Sequence, residues 1–237
     1  MRFKKAPTIA YLCLLPFLIS LGFWQLGRSD EKKIILEKQE QGLASSEIIQ
    51  LSSSGDYNIK ELRYKKAQVI GAYDMAHQFL LDNQIKNGKV GYFVLTPFIL
   101  ADKSQAVLVN RGWIASNPNR AILPDIQIKN QQAALAGRIN QFPSVGIKLA
   151  GAEIPTEGWP SIVQVIDDQI LMKKLGYTVF PFQIELDKDL SEGFNREWLV
   201  TTIMLPEQHI AYAIQWFALA FTLSVLFFWY SNKKSDE

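Results

Sequence analysis

The chain has 237 residues, with 25 Lys and Arg against 23 Asp and Glu, one Cys and two His. The near balance of charge excludes a basic nucleic-acid-binding protein and an acidic disordered tail, and the scarce Cys and His exclude an intrachain disulfide and a zinc site, which needs four such ligands. The mean hydropathy of +0.01 matches a soluble enzyme, but it averages over two unlike kinds of segment.

Between Lys5 and Arg28 lie 22 residues without a charge, and as a helix they extend roughly 33 Å, enough for the ~30 Å hydrocarbon core of a bilayer. Between Glu207 and Lys233 lie 25 more. Core helices of soluble proteins seldom run so far without a charged face, so residues 8–27 and 208–230 are expected to be transmembrane helices. Trp24, Trp229 and Tyr230 sit at their ends, where an interfacial aromatic belt belongs. Met1 to Lys5 resembles the basic start of a signal peptide, but Gly22-Phe23-Trp24-Gln25 offers no small-residue cleavage site, so an uncleaved anchor is expected. No Arg- and Ser-rich mitochondrial leader is present, and the chain reads as bacterial.

Two spans place both termini, residues 1–7 and 231–237, on one side. The N-terminal tail carries three positive charges, which favours the cytoplasm, although Arg28, Lys32, Lys33 and Lys38 follow the first span closely. The intervening segment is long enough to be translocated whatever its charge, and is expected in the periplasm. That segment, residues 28–207, holds 20 of the basic and 21 of the acidic residues, one domain's worth of chain.

Its first stretch, RSDEKKIILEKQEQG, has good helix formers and is expected to continue the first helix until Gly42. SSEIIQLSSSGDYN is Ser-rich and weakly patterned, and reads as a loop. From Tyr64 the pattern is that of short strands. Asn87-Gly88 between two β-prone runs predicts a tight hairpin, because both positions want positive φ. A second turn, ADKSQ, leads into AVLVNRGWIA and completes a three-stranded meander. QAALAGRIN, SIVQVID, FPFQIELD and REWLVTTIM follow as further strands. One helix, DDQILMKKLG, interrupts them, with Asp167 or Asp168 as N-cap and Gly176 past its end. The fold class expected is a membrane protein in which two transmembrane helices flank a β-rich α+β extramembrane domain, an antiparallel barrel or sandwich.

No phosphate-binding glycine loop and no GxSxG elbow occurs, and His77, in a strand or at a strand edge, reads as structural. The chain is therefore expected not to be an enzyme and to take neither zinc nor nucleotide. Cys13 lies in mid-span and reads as an inert thiol. Ala220 and Ser224, four apart, allow close helix contact.

On a helix, His209, Tyr212, Ala213 and Trp216 share one face, with Gln208 and Gln215 on its flank. Trp24, Gln25 and Arg28 end the first span on the same side of the bilayer. One reading is an interfacial belt with Arg28 snorkelling. The other is a ligand slot between the two helices, with an imidazole for a metal, aromatic walls and a cation at the rim, which are the parts a haem wants. In VNRGW, Arg111 and Trp113 lie two apart on one strand face, either as a stacked pair or as a surface for a partner protein.

Taken in order and spacing, LGFWQLGRSDEKK, GAYD at 71–74, GYFVLTPFILAD, LVNRGW at 108–113 and EQHIAYAIQWFALA resemble the Surf1/Shy1 family of cytochrome c oxidase assembly factors, from about residue 8 to residue 230. The resemblance implies a protein of the bacterial inner membrane that assists maturation of the haem–copper oxidase, binds haem a and helps deliver it to the catalytic subunit. It makes His209, in a His-x-x-Tyr-Ala-x-x-Trp-Phe pattern, the leading haem-iron ligand, with Tyr212, Gln215, Trp216, Trp24, Gln25 and Arg28 around it. Residues 43–62 show little of the family pattern and contribute nothing to it. The expected partners are the oxidase subunits, chiefly the haem-bearing one, and the lipid bilayer, with no nucleic acid. A cofactor-free membrane scaffold is the alternative, and a membrane-tethered periplasmic enzyme the third.

Overall fold

The computed structural model describes residues 5–143, 148–198 and 204–233. The chain divides into two compact units, residues 1–38 with 200–237, and residues 39–199.

The first unit is built on two long helices, α1 (Lys5–Ala44) and α4 (Pro206–Lys233). Only 6% of the most apolar stretch of α1 and 11% of that of α4 is buried. A core helix of a soluble protein is covered, whereas these leave Ile9, Leu12, Phe17, Ile214, Phe221 and Leu226 exposed along their length. Lipid is the solvent that accommodates such a surface, and the two helices are those of a membrane protein. They run antiparallel. Tyr11 meets Ser224 at 3.2 Å and stacks on Phe227 at 4.2 Å, and Ser29 Oγ donates to the Pro206 carbonyl at 3.0 Å. Ala213 and Ala220 are buried in the seam, and Ser224 donates to the Ala220 carbonyl of its own helix.

The second unit begins with the last residues of α1. The helix passes Gly42 to end at Ala44, and Gly42 lies against Tyr64, where a Cβ would come within 2.8 Å of the Tyr64 Cβ. The segment read as a loop contains β1 (Ile48–Gln50), which pairs in parallel with β2 (Lys66–Tyr73), and a short helix α2 (Ile59–Leu62). Three residues are too few for alternation to show, so β1 exists through its partner strand. The meander is as expected. β3 (Phe79–Lys86), β4 (Lys89–Leu100) and β5 (Ala106–Ala115) pair antiparallel, with Asn87 at φ 49° and Gly88 at φ 73° in the first turn.

β6 (Ala134–Asn140), β7 (Ser161–Val163) and β8 (Val179–Leu186) complete the strands. β7 covers only the start of SIVQVID. In REWLVTTIM, residues 199–203 lie outside the described residues and 196–198 are not strand. α3 (Asp168–Leu175) has Asp167 as N-cap, accepting from Ile170 N, and Gly176 at φ 79° as C-cap.

The ring β2–β6–β8–β5–β4 closes back on β2 through Gly71–Tyr73 against Phe98–Leu100. A five-stranded ring cannot be antiparallel throughout, since the strand direction would have to alternate around an odd number. Within the ring the antiparallel expectation therefore fails at one pairing, β5 with β8, which is parallel, and outside it β1 with β2 and β3 with β7 are parallel as well. Val69, Phe98, Val107, Val109, Phe182 and Ile184 fill the barrel. On the outside, Phe79, Leu95, Ala106 and Leu108 pack against Leu171 and Leu175 of α3, so β5 is buried on both faces and reads as a continuous apolar run.

At the closure, a Cβ on Gly71 would overlap the Ile99 carbonyl oxygen, and β2 can approach β4 only because that atom is missing. Gly71→Ala is expected to destabilise the domain by about 1–3 kcal/mol, read as a lower unfolding midpoint of the detergent-solubilised chain, whereas Gly88→Asn in the hairpin turn should be close to neutral.

Candidate functional site

The α1 face that meets α4 carries Gly22, Gln25 and Ser29, at i, i+3 and i+7, and the facing stripe of α4 carries Pro206, His209 and Ala213. All but Gln25, which is half-buried, are buried. His209, 6% exposed, places Nδ1 2.7 Å from Gln25 Oε1. On one side of this contact stands the Ser29–Pro206 hydrogen bond; on the other, Phe217 lies over Gly22, where a Cβ would come within 2.5 Å of the ring. Phe23 adds an edge contact to Phe217 with ring centroids 5.5 Å apart.

Of the residues expected to form the ligand site, His209 and Gln25 are brought into direct contact. Trp24 is 58% exposed, Tyr212 46% exposed, and Gln215 exposed, while Trp216 is half-buried. Arg28 pairs with Glu31 on its own helix at 2.5 Å. The expected slot between the helices is therefore filled by their own side chains, because glycine and alanine in the seam let the helices approach closely. His209 has no partner at Nε2 among the described residues. An imidazole held at Nδ1 and open at Nε2 is a suitable single protein ligand for a metal. No group of three or more His, Cys, Asp or Glu converges among the described residues, so a bare ion would find only one donor there, whereas a haem brings its other four. Cys13 is exposed on α1.

Arg111 does not belong to a partner surface. It is 1% exposed, its Nε donates to the Glu192 carbonyl at 2.6 Å, and its Nη1 donates to Gln78 Oε1 at 2.9 Å and to the Ile126 carbonyl at 2.8 Å. Its guanidinium lies 5.1 Å from the centroid of the Phe194 ring rather than on Trp113. Gly112, at φ 109°, makes a bulge in β5, so the two-residue spacing does not carry Arg111 and Trp113 to one face. Trp113, half-buried, instead donates from Nε1 to the Gln84 carbonyl at 2.8 Å. Burial presses the Arg111 guanidinium toward losing its proton, and its pKa is lowered, but three accepting oxygens keep the cation in place.

His77 lies in the bend before β3, with Nδ1 2.7 Å from Asp74 Oδ2, and the Tyr177 hydroxyl donates to the same oxygen at 2.7 Å. Burial pushes the Asp74 carboxyl up, but the hydrogen bonds from His77, Tyr177 and the Ala76 amide outweigh it, and its pKa is lowered. Burial and the hydrogen bond to Asp74 push the Tyr177 phenol up, so it remains a donor. Neither the burial of Arg111 nor the meeting of this half-buried cluster could be read from spacing alone. For the seam, the small and polar residues at 22, 25 and 29 were the available signal.

Two outcomes follow from this geometry. Arg111→Ala takes the donor from the Glu192 and Ile126 carbonyls, while Gln78 Oε1 keeps the Thr96 hydroxyl, and should cost about 3–5 kcal/mol, seen as loss of folded domain in limited proteolysis rather than as a weaker surface contact. Asp74 is ionised below its unfolded pKa of about 3.9, so its contribution to stability is fully present above that pH and is lost as pH falls through the lower folded value. Asp74→Asn should flatten that part of the acid-unfolding curve, and an unchanged acid limb would exclude this role.

The SURF1 family model matches residues 12–221. A SURF1-like protein of Rickettsia bellii is 30% identical over an alignment that covers 100% of this chain and 94% of the relative. The cytochrome oxidase assembly protein SHY1 of Saccharomyces cerevisiae is 29% identical over 48% of this chain and 29% of its own length, and the surfeit locus protein 1 of Rattus norvegicus is 24% identical over 88% and 70%. With a family match across most of its length, this two-helix, barrel-bearing chain belongs to the SURF1 family.

Proposed function

We propose that the chain is an assembly factor for haem–copper cytochrome c oxidase that binds haem a at His209 and presents it to the haem-bearing catalytic subunit. The assembly role is supported by the name of the yeast relative, cytochrome oxidase assembly protein. The haem reading rests on one observation, the buried His209 whose Nδ1 is held by Gln25 and whose Nε2 has no partner among the described residues. Haem iron takes an axial imidazole through one ring nitrogen, while the other nitrogen's hydrogen bond sets the ring's orientation and basicity. Tyr212 and Trp216 supply flat apolar surface on the same helix face as His209. Since the seam itself is closed, a bound haem would lie beside it, against the exposed Tyr212 and the half-buried Trp216, and Arg28, at the end of the first span, would offer a cation for a propionate. The chain is placed in a bacterial inner membrane with both termini cytoplasmic and the central domain periplasmic, supported by the basic N-terminal tail and by its bacterial relatives.

The test is an absorption spectrum of the detergent-purified protein from cells that make haem a. A Soret band is expected in the wild type, and His209→Ala should lower the bound haem by about tenfold or more. Equal haem content in the two proteins would remove His209 as ligand, and absence of a band in the wild type would favour the cofactor-free scaffold.

A further inference from the structure

We infer that Gln25 is a positioning residue: its side-chain carbonyl accepts the Nδ1 proton of His209 and so leaves the Nε2 lone pair free as the ligand. The inference rests on the reading of His209 as a haem ligand, but its central claim concerns the place of one proton, which can be read without haem.

Neutral histidine in water carries its proton mostly on Nε2, the nitrogen through which it would have to ligate. In the seam that tautomer would set the Nδ1 lone pair against the Gln25 carbonyl oxygen at 2.7 Å, two acceptors facing each other with no water to separate them. With the proton on Nδ1 the same distance is a short N–H···O hydrogen bond. The alternative, an amide turned to donate to Nδ1, would make an N–H···N contact, for which 2.7 Å is too short.

The contact cannot drift. Ser29, one helical turn beyond Gln25, is bonded to the Pro206 carbonyl, which lies one turn before His209. Gly22, one turn back, is locked under Phe217. The helices are fixed on both sides of the imidazole, and among the described residues the only polar side chain bonded to it is Gln25. A neutral amide is also suited to this depth. It orients the ring without adding a formal charge to the seam.

Trp24 and Arg28 play no part in this arrangement. Trp24 is exposed and Arg28 is paired with Glu31, so among the α1 residues first grouped around the ligand, Gln25 alone acts on His209.

The test uses the full-length chain in detergent micelles, labelled with 15N at histidine. The chain has two His, so the His209→Ala spectrum assigns the signals. With the imidazole neutral, the wild type is expected to show an N–H-type Nδ1 and a bare Nε2 at His209. Gln25→Leu, which suits an apolar span and keeps the helix, should move the proton to Nε2; Gln25→Glu, which keeps the acceptor, should leave it on Nδ1. Titration with ferric haem a is expected to show affinity lowered by about 10–100-fold in Gln25→Leu and retained in Gln25→Glu, where the more basic imidazole should also lower the reduction potential of the bound iron. A wild-type Nε2–H signal, or a tautomer unchanged in Gln25→Leu, overturns the inference. If the tautomers behave as expected but His209→Ala binds haem a as tightly as the wild type, Gln25 is overturned as a haem-positioning residue. The intact NMR result would then place the fault in the ligand reading and not in the hydrogen bond.

Discussion

The parallel pairing of β5 with β8 is the contact on which the extramembrane domain depends. A ring of five strands needs one parallel neighbour, and a parallel neighbour needs a long crossover. Here the chain leaves β5 at Ala115 and returns at Val179, and the intervening residues supply β6, β7 and α3. The crossover is thus not idle length. β6 fills the gap between β2 and β8, and α3 covers the outer face of β5 with Leu171 and Leu175. Because both faces of β5 are then covered, Arg111, near its end, is enclosed and has to find its acceptors inside the protein.

Polar groups on the ring are managed by the same adjacency. Asn110 of β5 donates to Gln183 of β8 at 3.2 Å, and Glu185 of β8 takes Asn140 of β6 at 2.8 Å and pairs with Arg138. Burying a carboxylate beside a guanidinium gains little over an apolar pair, since both lose water. What such contacts do contribute is register. A slip of β6 against β8 by one residue would turn Arg138 away from Glu185 and leave a buried charge alone.

The two membrane helices follow an analogous rule with fewer polar groups. Their apolar surfaces gain nothing by leaving lipid for each other, so contact comes from close packing at Gly22, Ala213 and Ala220 and from hydrogen bonds at Tyr11–Ser224, Ser29–Pro206 and Gln25–His209. Three bonds spread along the pair select one axial register, since a shift by a helical turn would break all three. His209 is in this sense both a structural member of the seam, through Nδ1, and a group with unused capacity, through Nε2.

Much of this was legible in the chain alone, for identifiable reasons. The two long uncharged runs determine membrane helices, because a bilayer core tolerates little else. Asn87-Gly88 determines the hairpin, because only such residues accept positive φ at both turn positions, and Asp167 and Gly176 determine the limits of α3 through the unpaired backbone groups they satisfy. The family likeness, carried by ordered motifs over most of the chain, also needed no coordinates. The three-residue β1 was not legible, since a strand that short is defined by the β2 edge it joins. Nor was the burial of Arg111, which a bulge at Gly112 turns away from the face that simple alternation assigns. The split of the ligand cluster was likewise a tertiary decision. Helical spacing puts His209, Tyr212 and Trp216 on one face, but only the approach of α1 determines which of them is covered, and it covers His209 with Gln25. Local sequence settles what each segment can be, because backbone hydrogen bonding and solvent preference act over a few residues. Which side chains end up buried together depends on contacts between segments far apart in the chain.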